Sequence, residues 1–158
     1  MNWSEVVAHP SLRDLPFKIE LNENGQVIMT PVKIKHAFFS SEIGFLMRQA
    51  RTDGRTLSEC AIKTSKGTKV ADVAWASTER FAKIELETDA SVAPEVCVEV
   101  LSQSNTDKEM REKRKLYFER GAVEMWTCDG KGIVRFFNAK RELKSSQLFP
   151  NFPNKIEV

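Results

Sequence analysis

The chain has little of what most catalytic motifs are built from. Its 158 residues include two histidines and three cysteines. Cys60, Cys97 and Cys128 stand far apart, no C-x-x-C occurs, and an odd number suits reduced thiols rather than a disulfide framework. Two histidines leave a zinc site poorly supported, and no spacing recommends a Cys–His nucleophile pair. There is no Walker loop, no G-x-G-x-x-G and no G-x-S-x-G. No run approaches the roughly 20 apolar residues that span a bilayer. The N-terminus, MNWSEVVAHP, has no basic stretch followed by an apolar one, so a cytoplasmic protein without a secretory signal is expected. No repeat or linker-like segment interrupts the chain, and residues 1–158 read as one domain. The formal net charge is only +2, so overall charge does not argue for a nucleic-acid partner.

What is present is acid in apolar surroundings. Asp72 lies in VADVAW (70–75) and Glu99 in EVCVEVLSQSN (95–105). An acid inside a β-branched run is costly unless it is exposed, paired or bound to a cation. Strand alternation puts Val70, Asp72 and Ala74 on one face with Val73 and Trp75 on the other. It likewise separates Val96, Val98 and Val100 from Cys97, Glu99 and Leu101. Each acid has a bland reading. Asp72 could cap a strand end, and Glu99 could pair with a cation of the next helix. If both held one metal ion, their charges would repel in its absence.

The cationic segment DKEMREKRKLYFER (107–120) follows directly. Thr106 and Glu109 have the spacing of a capping box, and Gly121 suits a C-terminal stop. Lys113 shares a helix face with Met110, Leu116 and Tyr117, so it points towards the sheet. Lys115 lies about 200° away at 100° per residue, and Lys108, Arg111 and Lys115 read as solvated. A lysine snorkelling from an apolar stripe is the plain alternative for Lys113.

The remaining pattern gives a short helix at 4–8 with Ser4 as its N-cap and a hairpin over 18–31 around Asn24-Gly25. A helix follows over 33–50, then strands at 56–64 and 70–77. Residues 78–92 read as an irregular loop with some helix, followed by a strand at 95–101. A hairpin around Asp129-Gly130 closes the chain. The 33–50 helix offers two apolar stripes, Phe38–Phe45–Leu46 and Phe39–Ile43–Met47. The order predicts an α/β fold with a mixed central sheet flanked by helices. Glu20 in the first hairpin, His36 and Glu42 could reach the same cleft as the two acids.

As an ensemble, KIELNENGQVIMTP, His36, VADVAW, PEVCVEVLSQSN, the Lys113–Tyr117 spacing and GAVEMWTCD resemble a bacterial family of putative restriction endonucleases, the Uma-type branch of the PD-(D/E)XK nucleases. The resemblance covers nearly the whole chain. It implies a restriction-endonuclease-like core, Mg²⁺ (or Mn²⁺) as cofactor and DNA as the partner. Asp72 and Glu99 match the two acidic metal ligands. Ala71 replaces the proline that commonly precedes the aspartate. Leu101 stands where the superfamily's lysine normally does, two residues after the glutamate. Lys113 matches the lysine of a branch in which it has moved to the next helix. Glu20 and His36 match further family positions. No membrane is expected as a partner, and a homodimer is left open.

Three functions are therefore compatible with the sequence. One is a metal-dependent DNA endonuclease. Another is a catalytically silent nucleic-acid-binding or regulatory protein on the same fold. The third is a structural protein whose acids merely pair with lysines.

Overall fold

The computed structural model describes all 158 residues. Helix α1 (Trp3–Ala8) starts at Asn2, whose side chain accepts from the Glu5 amide while the Glu5 carboxylate accepts from the Asn2 amide. This capping box displaces Ser4, the expected cap, whose hydroxyl instead meets that of Thr88. Strands β1 (Phe17–Leu21) and β2 (Val27–Pro31) form a separate antiparallel hairpin. Helix α2 (Ile34–Ala50) leads into β3 (Arg55–Thr64) and β4 (Gly67–Ala76). The segment expected to be mostly loop contains α3 (Thr78–Ile84), capped by the Ser77 hydroxyl accepting from the Arg80 amide. Then come β5 (Val96–Val100), α4 (Asp107–Glu119), β6 (Glu124–Cys128), β7 (Val134–Phe137) and the short β8 (Glu142–Leu143).

Strands β3 to β8 form one six-stranded sheet in sequence order. All pairs are antiparallel except β5–β6, which α4 connects as a crossover. The predicted mixed sheet flanked by helices is what forms. No helix is long and apolar enough to cross a membrane.

The two faces of the sheet carry different cores. On one, α2 contributes Phe39, Ile43 and Met47 to a cluster with Val73, Val98, Trp126 and Phe149. Each such burial is worth about 1.5–3 kcal/mol. Of the competing stripe of α2, Phe38 and Phe45 stay outside, 37% and 53% exposed, while Leu46 is partly buried against this cluster. On the other face, Ile62, Ala71, Cys97, Tyr117 and Met125 pack under α3 and α4. Ala71 and Val73, two residues apart, thus pack on opposite faces. Strict alternation breaks at Asp72, which lies in the middle of β4 rather than at its end. Opposite it, between the Ser58–Val73 and Cys60–Ala71 pairs, Glu59 has φ 51°, a left-handed conformation costly for a residue with a side chain.

The hairpin is held against β4 by specific contacts. Glu20 accepts the Val70 amide at 2.7 Å, and Lys69 donates to the Leu21 carbonyl at 3.2 Å. Gly67, at φ 88°, lies where any Cβ would collide with the Leu21 and Asn22 carbonyls.

One acid is purely architectural. Glu124 is fully buried and accepts from Trp126 Nε1 (2.8 Å), Ser146 Oγ (2.7 Å) and the amides of Gln147 (2.9 Å) and Leu148 (3.1 Å). It ties the C-terminal segment to β6. Glu124→Ala strands these buried donors and should destabilise the protein by roughly 3 kcal/mol in urea denaturation. Glu124→Gln keeps one acceptor oxygen and should lose less.

Candidate active site

The β4–β5 ladder pairs Val73 with Val98 but goes no further in that direction. Beyond it the strands part, and the Val100 amide donates to Asp72 Oδ2 at 2.7 Å instead of to a backbone carbonyl. Asp72 and Glu99 sit at this divergence, 5% and 3% exposed.

Around them runs a chain of alternating charges. Lys18 Nζ, from β1, lies 3.1 Å from Asp72 Oδ1 and 2.9 Å from Glu99 Oε2. Lys113 Nζ lies 2.9 Å from Glu99 Oε1 and 2.8 Å from Glu20 Oε2. Tyr117, one helical turn after Lys113, donates to Glu99 Oε1 at 2.6 Å. His36 Nε2 stands 3.4 Å from Asp72 Oδ2. Five segments thus converge on one point: β1, the first turn of α2, β4, β5 and α4.

Burial alone would raise the Asp72 pKa, but the His36 contact, the Lys18 charge and the Val100 amide outweigh it and hold the carboxyl at about 2. Burial likewise works against the Glu20 carboxylate, and Lys113 and Lys18 override it and lower its pKa. Lys18 is the mirror case. Desolvation favours its neutral form, yet Glu99, Asp72 and Glu20 raise its pKa above the ordinary lysine value. Burial and the neighbouring Glu99 push the Tyr117 phenol far up, so it remains a hydrogen-bond donor.

The structure brings Asp72, Glu99, Lys113, Glu20 and His36 together. Glu42 stays apart. It lies about 120° around α2 from His36 at 100° per residue and joins none of these ion pairs. Sequence reading missed Lys18 and the contact of Tyr117. The signal for Lys18 was available: in β1 it lies two residues before Glu20 and shares its face.

A hard divalent cation suits this place. An ammonium, Lys18 Nζ, already lies between carboxylates of two strands, so the site is shaped to hold positive charge there. The donors are oxygens, as Mg²⁺ prefers. No group of three or more His, Cys, Asp or Glu side chains is arranged as a metal cage. Asp72 and Glu99 would be the two protein carboxylates, leaving other positions to water and substrate, which is also the habit of Mg²⁺.

The comparisons bear on family and fold. The model of the family described as Uma2, putative restriction endonuclease, matches residues 3–151. A solved structure, described as a putative nuclease belonging to DUF820 from Anabaena variabilis, is similar in fold with a TM-score of 0.71. It is 17% identical over 90% of this chain and 82% of that one. No curated protein matches.

Without metal, Lys18 offsets the repulsion between the acids, so the acids alone should not be a stability burden. Lys18→Met should destabilise the metal-free protein by on the order of 3 kcal/mol, because two buried carboxylates lose their shared partner. Adding Asp72→Asn to it should recover part of that loss in urea denaturation. The pH response follows from the signs. Asp72 and Glu20 are depressed, so their stabilisation is present above pH 4–5 and is lost as pH falls, for Asp72 towards about 2. Asp72 contributes on the order of 2 kcal/mol of that loss. Lys18 is raised, so its contribution is complete below about pH 10.5 and fades only above it. Chemical denaturation in EDTA between pH 2 and 11 should show this asymmetric plateau.

Proposed function

The chain belongs to the Uma2 family of putative restriction endonucleases, and from that premise we propose that it is a metal-dependent DNA endonuclease that hydrolyses phosphodiester bonds. One observation carries the reading: two buried carboxylates at the divergence of β4 and β5 share a single cation position. Buried acids in such an arrangement are poor stabilisers relative to apolar packing, which argues that they are kept for chemistry.

Asp72 and Glu99 would hold Mg²⁺ or Mn²⁺ through oxygen. When bound there, the ion supplies polarisation of the scissile phosphate and a more acidic water. The chain's own groups do the positioning. The Val100 amide and His36 fix Asp72, while Tyr117 and Lys113 fix Glu99 Oε1. Lys113, steadied by Glu20, keeps a positive charge beside Glu99 and would neutralise charge developing on the phosphorus centre or orient the attacking water. Lys18, which now lies between the acids, would have to yield that place, and its ammonium would then be free for phosphate.

The test is nicking of supercoiled plasmid in Mg²⁺ or Mn²⁺. Asp72→Asn and Glu99→Gln should abolish cleavage. Lys113→Met should cost about 10²–10³-fold, whereas exposed Lys115→Met should cost only a few-fold through lost phosphate attraction. Equal losses, or an active Lys113→Met, would overturn the assignment of Lys113.

A second reading, a catalytically silent nucleic-acid-binding protein, is favoured by one observation. Lys18 already neutralises both acids, as a permanent counter-ion would. Salt-dependent duplex binding with no calorimetric Mn²⁺ binding and no cleavage would decide for it.

A further inference from the structure

A cavity of about 420 Å³ opens beside Asp72, between α2 and the edge strand β3. Its helical wall is one ridge of four residues spaced by four: His36, Ser40, Gly44 and Arg48. Thr56 and Ser58 line the opposite side, and Lys18 and Asp72 close the end at the acids.

Three features of this ridge lack an internal explanation. First, His36 Nδ1 and Ser40 Oγ are the buried side-chain polar atoms of the chain without a hydrogen-bond partner. Such groups are rare and call for a missing partner. A single χ1 step would swing the Ser40 hydroxyl towards the cavity that its residue lines. Second, Gly44 sits mid-helix, where glycine weakens a helix relative to alanine. Nothing in the packing demands it, since an added Cβ would meet only Arg48 Nη1 at 3.7 Å, Thr56 Cγ2 at 3.8 Å and Val73 Cγ1 at 3.9 Å. Third, Arg48 folds back over that glycine, is exposed, and takes no part in an ion pair, which leaves its charge free for a ligand.

A guanidinium, hydroxyls and an imidazole around a gap left by glycine are the chemistry of phosphodiester recognition. We infer that this groove binds the backbone of one DNA strand beyond the scissile phosphate that a metal ion at Asp72 and Glu99 would engage, with Arg48 gripping a flanking phosphate. The inference rests on the nuclease reading and deepens it by assigning the side on which the strand runs. From His36 to Arg48 the ridge rises roughly 18 Å, room for several nucleotides at about 3.4 Å per step. The cavity on the other side of the acids is less suited to a polyanion. It holds four carboxylates, Glu20, Glu23, Glu109 and Glu112, against three lysines, whereas the groove holds two, Asp72 and Glu59, balanced by Lys18 and Arg48.

The test is fluorescence-anisotropy titration of a short labelled DNA duplex against the full chain in Ca²⁺, over a series of salt concentrations. Arg48→Gln should weaken binding about tenfold at low salt and reduce the slope of log K against log salt by about 1. Arg111→Gln removes the same charge from α4 and should change both by far less. Gly44→Ala should leave the melting temperature equal or higher, because alanine favours the helix, yet weaken binding several-fold. Binding by Arg48→Gln and Gly44→Ala that matches wild type would overturn the groove and leave the nuclease reading standing. Equal losses from Arg48→Gln and Arg111→Gln would also overturn it, since charge alone would then account for the effect. Arg48-dependent binding of orthophosphate, with duplex binding unaffected, would mark a free-phosphate site and overturn the strand assignment. A wild-type protein that binds no duplex at low salt would remove both readings together.

Discussion

Everything around the site depends on one constraint: two carboxylates buried in the sheet must not be left without positive charge. Asp72 and Glu99 are almost fully covered, and an isolated buried carboxylate costs several kcal/mol. The molecule meets this with two lysines from distant parts of the chain. Lys18 spans both acids, and Lys113 spans Glu99 and Glu20. The separate β1–β2 hairpin is therefore more than decoration on the sheet. It delivers Lys18 and Glu20 together, and Glu20 pins the hairpin back onto β4 through the Val70 amide. Helix α4 delivers Lys113 and Tyr117 from the other side with one turn between them.

The two lysines are not equivalent. Lys113 has a carboxylate on either side, one of which, Glu20, has no contact with Asp72's oxygens, so it can stay in place whatever occupies the space between the acids. Lys18 takes that space itself. Its side chain also lines the α2–β3 groove, so moving a few ångströms out of the carboxylates carries its charge towards the proposed path of the nucleic acid. On the proposed function, Lys113 would therefore act from a fixed position, whereas Lys18 would exchange one anionic partner for another.

Much of this was legible in the sequence. Period-two runs gave the strands, Asn24-Gly25 and Asp129-Gly130 marked the hairpins, and Thr106–Glu109 marked the start of α4. The acids were visible because charge inside a β-branched run has a cost that needs a reason. The misses have physical causes. Two apolar stripes on α2 satisfied the same helical period, and only tertiary packing chose Phe39–Ile43–Met47 over Phe38–Phe45. The break in alternation at Asp72 coincides with the left-handed Glu59 opposite it on the neighbouring strand, a non-local feature. Glu42 looked as available as His36 until the ridge that faces the site proved to be His36–Ser40–Gly44–Arg48. Lys18 escaped notice because lysine at the start of a half-exposed strand is ordinary. Its meaning arises only from the 54- and 81-residue separations to Asp72 and Glu99 that the fold closes.

The choice between an active and a silent site then reduces to a competition at one position. A tethered ammonium next to two carboxylates pays no entropy of association, because the chain already holds it. A divalent ion carries twice the charge and can bind both acids through oxygen, but it must lose part of its hydration shell. If the proposed function holds, nucleic acid would tip this balance. A phosphate entering the site would bring negative charge that favours the second positive charge of an ion held by Asp72 and Glu99, and it would give the ammonium of Lys18 a new partner. Metal and substrate should therefore bind with positive coupling, each increasing the affinity of the other by the same factor, as linkage requires. The groove along α2 bears on the same balance. On that proposal it would place the duplex backbone beside Lys18 and Asp72, which both line the groove, so the group that guards the acids would also be the group that the substrate draws away.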